Sequence, residues 1–272
     1  MEKKIGETIK NGITGLSLGT KEIAIGIIDI VSATIVKTLE GVKNIETAIS
    51  AVVAEAIKAT GGIGADLTTV TKNSIIGVLK GVHMVGSVTT DVIQDTVHGA
   101  VKVTAEIGGD VMAAAKSAIV GAIKGTRDIA ISAEDAASEA ARGIIRASSE
   151  VGADVGLVAK NAIKGSIGGV AEASGQLTTV IKDTSKGLVL GTSEIGGNVA
   201  SVAKNAVVGA IEAAKEIGLS AEEAASAAAM GAFEAAEVIG GETGSAIRKI
   251  VTGTIDGVKV IVKEPFKKDK DK

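Results

Sequence analysis

The chain has 272 residues, of which 46% are hydrophobic, and carries 29 basic and 32 acidic side chains for a formal net charge of −3. Cys, Trp and Tyr are absent, Phe occurs twice and Pro once, while Gly occurs 36 times. These values exclude a disulfide framework and thiolate chemistry, and they give no support for nucleic-acid binding, which needs a basic patch and usually stacking aromatics.

Residues 1–62 read as irregular N-terminal capping helices. The opening stretch, MEKKIGETIKNGITG, lacks the long apolar run of a secretory signal. The most apolar segment, IAIGIIDIVSATIV at 23–36, is interrupted by Asp29. It is short of the about 20 residues that a bilayer-spanning helix needs. A cytoplasmic chain, at most peripheral to a membrane, is therefore expected. The segment AEAIKATGGIGAD at 54–66 already follows the pattern of what comes next, with Glu55 in place of an expected glycine.

Residues 63–260 are a regular array. An Ile/Val–Gly phrase begins at Ile63, Ile107, Val151, Ile195 and Ile239, each 44 residues after the last. A single glycine marks a half-repeat of 22 residues, at Gly77, Gly99, Gly121, Gly143, Gly165, Gly187, Gly209, Gly231 and Gly253. Periods of this length indicate one supersecondary unit used many times. Counted from Ile63, small or apolar residues favour positions spaced 4-3-1-3-1-3-1-3, a helical rather than alternating pattern. A parallel β-helix fits poorly, because strict alternation is missing.

The starts of the helices are legible. Ser132 and Ser220 precede AEDAAS and AEEAAS, with Asp135 and Glu223 three positions on, as in a capping box. Asp66, Asp110, Asp154 and Asn198 hold the same register and are good N-caps. Gly-Ala or Gly-Gly pairs just before them suit the left-handed position that ends a helix. Each unit thus predicts a helix of about 18 residues and a turn of 3 or 4. The fold expected is all-α: tandem 44-residue αα-hairpins forming an α-solenoid or extended helical array. The alternative is a few very long continuous amphipathic helices, since 22 is twice the 11-residue period of a right-handed supercoil. Glu106, Glu150, Glu194 and Glu216 favour that alternative, because a helix C-terminus disfavours anions. The capping signals outweigh them. The two halves also differ: odd helices carry Lys72, Lys116, Lys160, Lys204 and Arg248 where even ones carry Gln94, Ser138, Lys182 and Ser226. Even helices are the more acidic at the next position, with Asp95, Glu139 and Asp183.

The glycines are the candidate interaction residues. Gly77 with Gly81, Gly121 with Gly125, Gly165 with Gly169, Gly187 with Gly191, and Gly253 with Gly257 are spaced by four, and Gly209 holds the same register. On a helix they form a small ridge. Glycine there costs about 1 kcal/mol relative to alanine, which close helix approach can offset. The ridge serves packing within the fold or, beyond it, another copy of the chain or lipid. Residues 261–272, IVKEPFKKDKDK, end the array in a lysine-rich tail. In it Phe266, Lys267 and Lys268 are a candidate anchor for anionic lipid or an acidic partner.

No catalytic constellation is visible. His83 and His98 lie 15 apart, not at a metal-ligand spacing, and no phosphate-binding loop motif is present. Glu134, Asp135, Glu222 and Glu223 fit helix first turns better than acid–base pairs. The sequence is thus read as non-enzymatic, with no cofactor, metal, nucleic acid or small-molecule substrate. The eleven-based periodicity resembles that of exchangeable apolipoproteins, perilipin-like lipid-droplet proteins and late-embryogenesis proteins, from which the glycine frequency departs; no function is carried over. The expected function is structural, by self-association through Gly/Ala faces into an oligomer, filament or tube. Binding to lipid or membrane surfaces, or scaffolding of a protein partner, are the alternatives.

Overall fold

The computed structural model describes residues 7–9, 11–12, 20–39, 45–61, 66–86, 89–127, 129–171 and 176–262. After helical residues at 7–9 and 11–12, the helices are α1 (Thr20–Leu39), α2 (Ile45–Gly61), α3 (Leu67–Met84), α4 (Thr90–Glu106), α5 (Val111–Gly125) and α6 (Ala133–Glu150). They continue with α7 (Val155–Ala171), α8 (Leu177–Glu194), α9 (Val199–Glu216), α10 (Ala221–Ile239) and α11 (Gly241–Ile250). A two-stranded antiparallel sheet, β1 (Gly253–Ile255) and β2 (Val258–Val260), follows. Among the described residues the regular structure is all helical apart from this hairpin.

The helices break where the caps predict. Asp66 accepts from the N–H groups of Thr68 and Thr69, Asp110 from Met112 and Ala113, Ser132 from Asp135, and Ser220 from Glu223. Asp154 accepts from Leu157 and Asn198 from Ser201. At the other ends, Gly108, Gly152 and Gly196 take left-handed φ values of 79°, 70° and 67°. The Gly109 N–H donates to the Thr104 carbonyl at 2.8 Å and the Gly108 N–H to Ala105 at 2.9 Å. That pair of bonds is the Schellman arrangement. Continuous rods are therefore not what the chain forms: α1 to α10 each stop within 20 residues.

Neighbours in sequence run antiparallel. Thr71 near the start of α3 lies 3.3 Å, hydroxyl to hydroxyl, from Thr104 near the end of α4. Yet α1 to α8 each pack more extensively against the helix two places on than against the next. Odd helices thus pack on odd, and even on even. A single apolar core threads between them from Ile9 to Val260, built of Ile, Val and Ala. Four of its buried hydroxyls are satisfied locally: Thr60, Thr104, Ser148 and Thr192, again 44 apart, each donate to a carbonyl four residues back. Such internal bonds let a polar side chain enter an apolar interior.

The last unit departs from the expected array. The reading of 63–260 as uniformly helical fails after Ile250, where α11, only ten residues long, gives way to the hairpin. Gly253 and Gly257 form no helical ridge; their φ values are 95° and 75°. The reason is local. Ile255-Asp256-Gly257-Val258 places Asp256 (φ 49°) and Gly257 at the centre of a two-residue turn, the geometry that joins antiparallel strands. The flanking Thr and Val residues are β-branched and favour strands.

Candidate interaction surfaces

The ridge glycines meet the chain itself. A Cβ added to Gly77 would lie 2.7 Å from the Ile28 carbonyl oxygen, at Gly121 2.7 Å from that of Lys72, and at Gly209 2.6 Å from that of Lys160. Gly165 meets the Lys116 carbonyl at 2.5 Å. On the even helices Gly143, Gly187 and Gly231 meet the carbonyls of Gln94, Ser138 and Lys182. In every case the partner is the residue 49 positions earlier, on the helix two places back. One parallel step, with one register, is therefore used throughout. The second glycine of each pair follows: Gly81 meets Ile35, Gly125 meets Leu79, Gly169 meets Ile123, and Gly191 meets Arg142. Any side chain at the first glycine would push a backbone carbonyl away, so these positions serve close approach within the fold.

A ladder of ion pairs follows the same step. Lys160 reaches Glu212 at 2.5 Å, and Lys164 reaches both Glu212 and Glu216 at 2.8 Å. Lys182 and Lys186 each lie 3.2 Å from Glu234. Lys102 reaches Glu150 at 2.7 Å and His98 reaches it at 3.0 Å, while Arg142 pairs with Glu194. This explains three of the four helix-terminal glutamates, Glu106 having no ion pair among the described residues. Glu150, Glu194 and Glu216 each find a cation on a helix two places away, which offsets an unfavourable position at a C-terminus. The Lys102 hydrogen bond holds Glu150 below the usual glutamate range. Burial raises Glu212, but Lys160 and Lys164 outweigh it and hold the carboxyl low. Burial instead dominates at Glu139 and Asp183 and pushes both carboxyls up. As half-exposed pairs, these contacts contribute about 0–1 kcal/mol each.

The C-terminal end of the array is covered. On α10 the residue equivalent to Lys182 is Ser226, and the Ile261 N–H donates to its hydroxyl at 3.1 Å. Arg248 of α11 stacks 4.7 Å over the Phe233 ring and lies 3.6 Å from Glu237. Two open grooves remain beside this cap. One, of about 800 Å³, is lined by Thr178, Lys182, Ser226, Met230 and Ile261; the other, of about 480 Å³, lies between Lys204 and Val208 of α9 and the hairpin. His83 and His98 sit on different helices, and among the described residues no three His, Cys, Asp or Glu converge as metal ligands. No described helix is long and apolar enough to cross a membrane. The tail residues Phe266, Lys267 and Lys268 lie outside the described residues.

No protein-family model matches the chain, and no curated protein is significantly similar to it.

Proposed function

We propose that the chain is a non-catalytic α-solenoid of 44-residue αα-hairpins whose role is structural, exercised by association of copies into an oligomer, filament or tube. The observation that carries this reading is the constant 49-residue packing step from Gly77 to Gly231. A constant step gives every repeat the same neighbours and presents equivalent surfaces at a fixed pitch. Such a surface suits ordered contacts between copies, which propagate when they do not close on themselves. With the ridge glycines engaged inside the fold, the contacts between copies belong to the outward faces of the helices rather than to the Gly/Ala ridge.

Negative-stain electron microscopy of the full chain in plain buffer tests the reading. Filaments, tubes or discrete oligomers are expected. Monomers at every protein concentration would overturn it, and binding of those monomers to anionic vesicles would then favour a lipid-surface role. The described helices turn most of their apolar side chains into the shared core, which leaves little for an interfacial helix to insert.

A further inference from the structure

The two layers of helices differ in charge. Helices α3, α5 and α7 carry six lysines and no Asp or Glu, whereas α4, α6 and α10 carry eleven acidic residues against three basic ones. Most of the inner members of each set are paired along the ladder. Among the described residues that remain outside the ladder, two rows share the 44-residue period. Lys72, Lys116 and Lys204, on α3, α5 and α9, occupy one repeat position and take part in no ion pair among the described residues. Asp91, Asp135 and Glu223, in the first turns of α4, α6 and α10, occupy another; they are exposed and pair with no cation among the described residues. The rows also share a gap. Lys160 completes the basic row but is neutralised by Glu212. The matching member of the acidic row, on α8, is Thr179.

From this geometry we infer that the odd-helix face of one copy docks on the even-helix face of a second, with the two arrays parallel. The inference rests on the self-association reading above and names its interface. Three features favour a second copy as the occupant. The complementary charges lie on the same chain. Both rows repeat every 44 residues, so each offers one position per αα-hairpin and the two can be matched position by position. The gap falls third in both rows, so parallel stacking pairs charge with charge at each of the other positions, while antiparallel stacking sets an ammonium against the gap. Because the two faces are different, each docked copy offers a fresh basic face and a fresh acidic face, so the contact is heterologous and open. Exposed charges at this range are screened by salt, so the assembly is salt-labile.

Sedimentation velocity of the full chain tests this at about 20 mM and about 500 mM NaCl, bracketing strong and weak screening. Two variants accompany it: Lys72→Glu/Lys116→Glu/Lys204→Glu and Asp91→Lys/Asp135→Lys/Glu223→Lys. The expected result is association at low salt that is lost at high salt, loss of association by each variant alone, and recovery when the two are mixed. Neutral variants, Lys→Gln and Asp→Asn with Glu→Gln at the same positions, serve if either reversal fails to keep its helical circular dichroism; they are expected to weaken association at least tenfold. Association that ignores salt and every variant would overturn the face pairing while leaving self-association intact. No association at either salt would overturn both. Capture of monomers by phosphatidylserine vesicles, abolished by the lysine reversals, would assign the basic face to a membrane and overturn the inference.

Discussion

Gly209 and Gly253 hold the same place in the 22-residue phrase, one in the body of the array and one in its last unit. In α9, Gly209 is a helical residue with the Lys160 carbonyl where its side chain would be. In the terminal hairpin, Gly253 has open space around it and a φ of 95°. The same residue type is required for two unrelated reasons, absence of volume in one and freedom of backbone in the other. A regular period therefore does not guarantee a regular structure. What decides between the two is whether the surrounding side chains favour a helix and whether a neighbouring helix is there to receive it.

The contrast is sharpest inside one helix. Gly165 meets the Lys116 carbonyl and the Ile119 side chain, whereas Gly168, three residues on, has nothing within 4 Å. Gly165→Ala is expected to lower stability by about 1–3 kcal/mol through overpacking, and Gly168→Ala to raise it by about 1 kcal/mol through helix propensity. Chemical denaturation followed by far-ultraviolet circular dichroism measures both; equal effects would break the distinction. In the hairpin, Gly257→Ala forces a left-handed residue with a side chain and is expected to cost about 1–2 kcal/mol. That loss should stay local. Hydrogen exchange should speed up at 253–260 while α4 to α8 keep their protection.

A smaller effect concerns the caps that separate one helix from the next. Asp110→Ala removes the acceptor for Met112 and Ala113 and is expected to cost about 1 kcal/mol in a thermal melt. The ladder gives the smallest effects and a pH signature. Glu150 and Glu212 are held low, so their contribution is present above the unfolded glutamate value and is lost as pH falls below about 4.3. Asp183 is pushed up by burial, so its contribution has the opposite sign: it is present at low pH and lost as pH rises through the folded value. Glu150→Gln should therefore lower stability at pH 7 and flatten the acid limb. Asp183→Asn should raise stability at pH 7. Melting temperatures from pH 3 to pH 7 check both signs.

Much of this molecule was legible in its sequence because its signals are local. The caps at Asp66, Asp110, Ser132, Asp154, Asn198 and Ser220 each depend on a side chain and an amide two or three residues away. The left-handed glycines depend only on their own missing Cβ. The hairpin was legible too, in the Asp-Gly pair of TIDGVKV, but the 22-residue period drew that segment into the array. The helix-terminal Glu150, Glu194 and Glu216 could not be understood locally, since their cations arrive from about fifty residues away.

The sequence by itself determined the helices, their ends and their repeat, because helix propensity, capping and turn chemistry act over a few residues. Only the tertiary structure decided where the repeat is used. It set the 49-residue step, turned the glycine ridge inward against carbonyls, paired the ladder and left Lys72, Lys116 and Lys204 outside any ion pair among the described residues. The physical reason is that the step between helices is fixed by the fit of small side chains across many contacts at once, and no short stretch of sequence contains both sides of that fit.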